Sequence, residues 1–124
     1  MPTEAFRVKI IANPKRKNLF IGFALRDAPL DGREILEKMS WWIGTYKHCL
    51  FLPGKSIPEN KKEGDIAEES IVSVEKHSAE RTLTFHVNNR LIWENVYTGL
   101  QERDFKQLVG CIMFWNKGDA IEIL

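Results

Sequence analysis

The stretch Arg81-Thr82-Leu83-Thr84-Phe85-His86-Val87-Asn88-Asn89-Arg90 decides the fold class, together with Phe114-Trp115-Asn116-Lys117-Gly118-Asp119-Ala120-Ile121-Glu122-Ile123-Leu124. In the first piece Leu83, Phe85 and Val87 alternate with Thr82, Thr84 and His86. That period of two marks a strand with one buried and one wet face. Asn88-Asn89 follows, and asparagine tolerates the positive φ that a tight hairpin turn demands. The second piece passes from an apolar run through an aromatic-polar loop into another alternating strand, Ala120 to Leu124. Strand, turn and aromatic-tipped loop before a closing strand describe a β-sandwich that presents loops, and not a catalytic apparatus.

The same pattern extends upstream. Phe6, Val8, Ile10 and Ala12 alternate with Arg7 and Lys9, and Asn13 to Asn18 forms the connecting loop. Leu19 to Leu25 is apolar throughout, as in a strand covered on both faces, and Gly22 within it marks a close approach or a bulge. Trp41 to Thr45 and Leu50 to Leu52 make short strands around a Tyr46-Lys47-His48 turn. Ile71 to Val74, Leu91 to Trp93 and Leu108 to Phe114 complete the set. Turn signals recurring at about 10 to 12 residues suit an antiparallel sandwich. The one helical candidate is Asp31 to Met39, capped by Asp31, with Ile35, Leu36 and Met39 on one face. Pro53 to Ser70 is the longest polar stretch, a length usually reserved for functional or mobile loops.

At 124 residues the chain is expected to form a single domain over 1–124, enough to bury about two-thirds of its unfolded surface. Lys and Arg number 18 against 17 Asp and Glu, so net charge selects neither nucleic acid nor an anionic membrane. The basic cluster Lys15-Arg16-Lys17 sits beside a turn at Asn13-Pro14 and reads as a solvated loop, with a phosphate or acidic partner as the sharper alternative. No apolar run approaches the roughly 20 residues of a membrane span. No signal-peptide pattern opens the sequence, and Cys49 and Cys111 lie among apolar neighbours as small hydrophobes. A reduced, intracellular protein is the expectation, with a Cys49–Cys111 disulfide unsupported.

Chemistry-bearing patterns are sparse. His48, His77 and His86 lack the paired spacing of zinc ligands, so no metal and no cofactor are expected. The cysteines' apolar surroundings argue against an activated thiol, and the carboxylates do not single out a pair for glycoside chemistry. Neither GxGxxG nor a Walker loop occurs. The tryptophans are the remaining signal. Trp41 and Trp42 are consecutive in a strand, so one is expected in the core and the other outside it. Trp93 belongs on a strand near an edge. Trp115 precedes the turn sequence Asn116-Lys117-Gly118-Asp119, where an exposed aromatic commonly anchors a partner.

Taken in order, these segments resemble the SPRY domain, the β-sandwich adaptor module of the SPRY/SOCS-box, tripartite-motif and Ran-binding-protein-M families. Phe20-Ile21-Gly22-Phe23-Ala24 is similar to the family's IGvA strand. Ser40-Trp41-Trp42 is followed by Leu50-Phe51 and Gly54-Lys55. Thr82-Leu83-Thr84-Phe85-His86-Val87-Asn88-Asn89 is similar to TLSFyvNG, Val96-Tyr97-Thr98-Gly99-Leu100 to aFtgL, and Trp115 to Ile123, after the Gly110 to Phe114 strand, to WGhceI. Two features depart from the pattern. Gly64-Asp65 lies several residues before Ile71, and Val74 to Glu80 replaces a short acidic turn, so the departures fall on loops and ligand contacts more than on the fold.

The resemblance implies an all-β, antiparallel two-sheet sandwich of concanavalin-like jelly-roll type with one short helix. It implies a non-enzymatic module that binds a peptide segment or protein surface in a shallow pocket of loops, as a monomeric domain within a larger assembly. Carried over by position, the contacts are Trp115 and Asn116, Phe51, and the early loop Asn13 to Lys17. Trp115 and Phe51 would supply apolar area, while Asn116, Tyr46, Arg16 and Lys15 would orient the partner. Two rival classes stay open. One is a carbohydrate-binding sandwich that stacks tryptophans on sugar rings. The other is an RNA-binding accessory subunit using Lys15 to Lys17 and exposed aromatics.

Overall fold

The computed structural model describes residues 3–15, 18–26, 40–53, 55–57, 64–114 and 116–124. The strands run β1 Thr3–Ala12, β2 Phe20–Leu25, β3 Ser40–Gly44, β4 Leu50–Leu52, β5 Lys55–Ile57, β6 Ile71–His77, β7 Thr82–Val87, β8 Arg90–Tyr97, β9 Leu108–Met113 and β10 Ala120–Ile123. A short helix, α1 (Glu102–Phe105), precedes β9. One five-stranded sheet has the order β10-β1-β6-β7-β8 and the other β5-β4-β3-β2-β9. All pairings are antiparallel. This is the sandwich that the period-two pattern predicts.

Cross-strand register explains the core. Val8 stands opposite Val72, and Val72 opposite Val87; Val74 stands opposite Phe85. Each row therefore presents one face, which packs against Ile21, Phe23, Trp41, Ile43 and Leu50 of the second sheet. Fully burying such a side chain contributes roughly 1.5–3 kcal/mol. Asn88 and Asn89 have φ of 51° and 66°, as a two-residue primed turn requires. The Asn88 Oδ1 also accepts the Ile71 amide at 2.9 Å, tying the hairpin tip to β6. Gly22 is the close approach expected: a Cβ there would lie 2.8 Å from Trp42 Cα in the paired strand.

Several local expectations change. Trp41 and Trp42 do face opposite sides, yet both are buried. Trp41 joins the inter-sheet core, and Trp42 joins a second apolar cluster with Phe20, Ala24, Phe51, Cys111 and Met113 on the other face of its sheet. Its indole N–H donates to the Ser40 hydroxyl, which satisfies the one polar atom that burial would otherwise penalise. Thr82 and Thr84, on the nominally wet face, are also buried. Their cross-strand neighbours include His77, Tyr97 and Glu75, and the Thr84 hydroxyl lies 3.1 Å from His77 Nε2 while accepting the Asn95 amide.

The polar stretch Pro53 to Ser70 contains β5, a strand too short to carry a period. The segment Val74 to Glu80 is divided, its first part extending β6 to His77. Lys76 thereby lands on the core face with 2% exposure. The helix α1 buries Phe105 and was too short for a helical pattern to reveal it. The candidate helix Asp31 to Met39 lies outside the described residues.

Candidate functional site

Strand direction gathers the loops. The segments that follow β1, join β3 to β4, precede β6, join β7 to β8 and precede β10 all emerge at one end of the sandwich. Asn18 is the hub of this end. Its Oδ1 accepts the Tyr46 amide at 2.9 Å, and its backbone carbonyl accepts the Asn116 side-chain amide at 3.1 Å. Next to it the buried Thr45 hydroxyl accepts the Leu19 amide at 3.0 Å. The Thr45 carbonyl accepts the Ile66 amide at 2.8 Å. Asn13 ties the first loop to two others: its backbone amide donates to Glu68 at 2.7 Å and its side-chain amide to Asp119 at 2.9 Å. Such long-range bonds tie the described residues of these loops to one another.

The Tyr46-Lys47-His48 turn is equally constrained. Lys47 and His48 have φ of 56° and 55°, the left-handed region that a tight turn between short strands demands. The Lys47 amide donates to Asp65 Oδ1 at 3.0 Å. His48 is buried, and its Nδ1 donates to the Gly64 carbonyl at 2.7 Å. Burial pushes the His48 pKa below the ordinary imidazole value, partly offset by that hydrogen bond, so the ring is neutral at pH 7. The His48 carbonyl accepts the Trp93 indole N–H at 2.9 Å. Trp93 stands on the edge strand β8, as expected, half-buried against the core.

This end brings several of the expected contact residues together. Tyr46 is 44% exposed, with Lys47 Nζ 5.3 Å from its ring centroid, within cation–π range. Lys15 is exposed on the first loop. Asn116 is half-buried and committed in part to Asn18. Phe51 stands apart, half-buried on the outer face of its sheet, with its ring 4.9 Å from that of Phe20. Its edge reaches Gly44, where a Cβ would meet both Phe51 and Asn18, so it flanks the end without sharing its rim. Trp115 and Arg16 lie outside the described residues.

The resemblance includes Asn13 among the contacts only as part of the early loop, and it assigns no contact to Asp65 or Glu68. With Pro14, Ile66 and Ala67 these three residues line a groove of about 760 Å³ between the first loop and the segment before β6. Single polar residues in turns carry no periodic signal, and the residues themselves mark Asn13-Pro14 only as a turn. A smaller cavity of about 270 Å³ continues past Asp65 to His48, Ser70, Asn88 and Arg90. This end thus carries acidic Asp65, Glu68 and Asp119 as well as basic Lys15, Lys47 and Arg90.

Among the described residues no group of His, Cys, Asp or Glu could hold a metal ion. Both cysteines are half-buried, and burial pushes the Cys111 thiol pKa upward, which disfavours the nucleophilic thiolate. No described helix is long and apolar enough to cross a membrane.

No family model matches the sequence, and no curated protein does. The architecture does have a counterpart. The SPRY domain of human HERC1 superposes with a TM-score of 0.72, over 98% of this chain and 73% of that one, at 17% identity. At that identity the likeness is one of fold, carried by strand order and packing. The chain has the SPRY-like β-sandwich fold.

Proposed function

We propose that the chain is a non-catalytic protein-interaction module whose loop end takes a peptide segment or protein surface. The observation that carries this reading is the set of long-range hydrogen bonds around Asn18, Thr45 and Asn13. Loops that are already ordered lose little entropy on binding, which favours a recognition surface. Tyr46 contributes a rigid aromatic ring with a polar tip, and Lys15 contributes charge. Asn116 keeps an acceptor oxygen for a partner's amide. Trp115 and Arg16 join the site on the strength of their sequence positions, and Phe51 flanks it. An adaptor role within a larger assembly follows from the same reading.

The test is selection of a phage-displayed random peptide library on the wild type. The selected peptides are then titrated against Trp115→Ala, Tyr46→Ala and Lys15→Ala. Trp115→Ala is expected to weaken binding by roughly 2 kcal/mol or more while leaving the unfolding transition in place. Equal affinity across all three variants would remove the loop end from consideration. Loss of the folded state in Trp115→Ala would make that residue part of the core. Binding on a glycan array without peptide selection would replace the reading by a carbohydrate-binding one.

A further inference from the structure

The four edges of the two sheets are not equivalent. The edge strand β5 has three residues. The edge strand β8 carries Arg90 and Glu94 and shifts register twice against β7. The edge strand β10 carries Glu122 and has an irregular register with β1. Short length, charge and bulges are the devices by which sheets discourage further pairing. The fourth edge, β9, has none of them. Its sequence Leu108-Val109-Gly110-Cys111-Ile112-Met113 lacks charge and proline, and its register with β2 is unbroken from Leu108 to Met113. No strand among the described residues pairs with its other side.

The sheets are also offset at this side. Phe6 of β1 packs edge-on against Phe23 of β2, with centroids 5.5 Å apart. A Cβ on Gly110 of β9 would come within 2.7 Å of the Phe6 ring. The strand β9 therefore faces β1, and β10 lies one position farther out, with Ile121 packed against the core and Ile123 beyond it. Ile123 records the consequence. It stands opposite Val8 on the core-facing side, yet it is 71% exposed while Val8 is fully buried. Between β9 and β10 runs a groove of about 490 Å³, lined by Phe6, Phe23, Leu108, Ile112 and Ile123, with Glu4 as the one charged residue among its described lining.

We propose that this open strand position receives an extended segment of a partner protein, apolar at alternate residues and basic toward its C-terminal end. One strand spacing from β9, about 4.8 Å, places the segment over Ile123 and against the main-chain N–H and C=O groups on the side of β9 that no described strand pairs, where the Leu108 carbonyl is held by Lys76. A helix would leave those groups unmet, whereas strand addition satisfies them through the main chain. Alternate side chains enter the groove and the others face outward. Antiparallel pairing is the more stable arrangement, and it sets the direction. Lys76 Nζ lies 3.0 Å from the Leu108 carbonyl and 3.8 Å from Glu4, so Glu4 marks the end at which β9 begins. The C-terminal part of an antiparallel segment ends there, beside a carboxylate whose side chain is 69% exposed. Charge complementarity assigns a lysine or arginine to that position.

The probe is a labelled peptide amide of about seven residues that alternates valine with threonine and ends in lysine, matching the strand period. Fluorescence anisotropy is expected to saturate, and hydrogen exchange at residues 108–113 to slow on binding. Ile123→Asp puts a charge where the segment buries its side chains and is expected to weaken binding at least about tenfold. Its high exposure in the free protein keeps the unfolding midpoint near that of the wild type. Glu4→Lys is expected to weaken the lysine-ended peptide and strengthen a glutamate-ended one. Tyr46→Ala is expected to change nothing here, so this inference and the loop-end reading fail separately. No slowing of exchange at 108–113, or equal binding by Ile123→Asp, overturns the proposal. So does protection of those amides that depends on protein concentration without peptide, which would assign the edge to a second copy of the chain.

Discussion

Lys76→Met tests how the sandwich closes where α1 meets the core. Lys76 is almost fully buried on the core face of β6. Its ammonium donates to the Leu108 carbonyl at 3.0 Å and lies 5.4 Å from the centroid of Phe105, the buried residue of α1. A hydrogen bond from a charged donor contributes about 1.5–3 kcal/mol, and a cation–π contact about 0.5–2 kcal/mol. Glu4, at 3.8 Å, has a mostly exposed side chain, and such a pair adds little.

Against these gains stands desolvation, the main cause that lowers the Lys76 pKa from 10.5. Methionine keeps the apolar stem and removes the head, leaving the Leu108 carbonyl without its lysine donor. The expected net loss is about 2 kcal/mol in urea unfolding, with faster hydrogen exchange across 105–108. Lys76→Ala also leaves a cavity, and its expected loss is about 4 kcal/mol. The pH dependence has a definite sign. A lysine with a depressed folded pKa holds fewer protons when folded, so stability rises with pH between that pKa and the unfolded value. The wild type should therefore gain on Lys76→Met as pH approaches 10.5. A Lys76→Met protein as stable as the wild type at pH 7 would refute the reasoning, because the bond to the Leu108 carbonyl would then do no more than offset the desolvation of the lysine head.

Three further outcomes follow from the same geometry. Gly22→Ala places a Cβ 2.8 Å from Trp42 Cα and 2.9 Å from the Trp41 carbonyl carbon. Paired backbone cannot yield cheaply, so a loss of about 3 kcal/mol is expected; a melting temperature near that of the wild type would contradict it. Thr45→Val removes the acceptor of the buried Leu19 amide, an expected cost of about 1–3 kcal/mol that denaturant midpoints will measure. His48 is held neutral by burial, with its folded pKa below 6.5. Its contribution is complete above about pH 6.5 and is lost as pH falls through the folded value. The drop in stability from pH 7 to pH 5 should shrink in His48→Asn, since asparagine tolerates the positive φ and does not titrate.

The strand set was legible because burial on one face imposes a period of two on the sequence. Leu83, Phe85 and Val87 show it directly, and Asn88-Asn89 announces a turn whose positive φ values few other residues accept. The fate of the opposite face was not legible in the same way. Trp42 and Thr84 occupy positions that alternation assigns to solvent, and both are buried by neighbours distant in sequence. Lys76 is the sharper case. A lysine among polar residues reads as a surface turn, and only the extension of β6 turns it inward against Leu108 and Phe105.

The loop-end residues divide along the same line. Tyr46 and Asn116 stood out because aromatic and turn residues carry local signals. Asn13 and Glu68 gained their place from hydrogen bonds that span much of the chain. The sequence by itself determined the strands other than β5 and the far end of β6, the hairpin turn and the order in which the segments follow one another. Each rests on local φ preference or on side-chain alternation, and both operate within a few residues. Only the tertiary structure decided that five loops share one end, that Ile123 of β10 is left exposed beside the core, and that no described strand pairs with the outer side of β9. Those facts depend on strand order and sheet offset, which arise from long-range pairing.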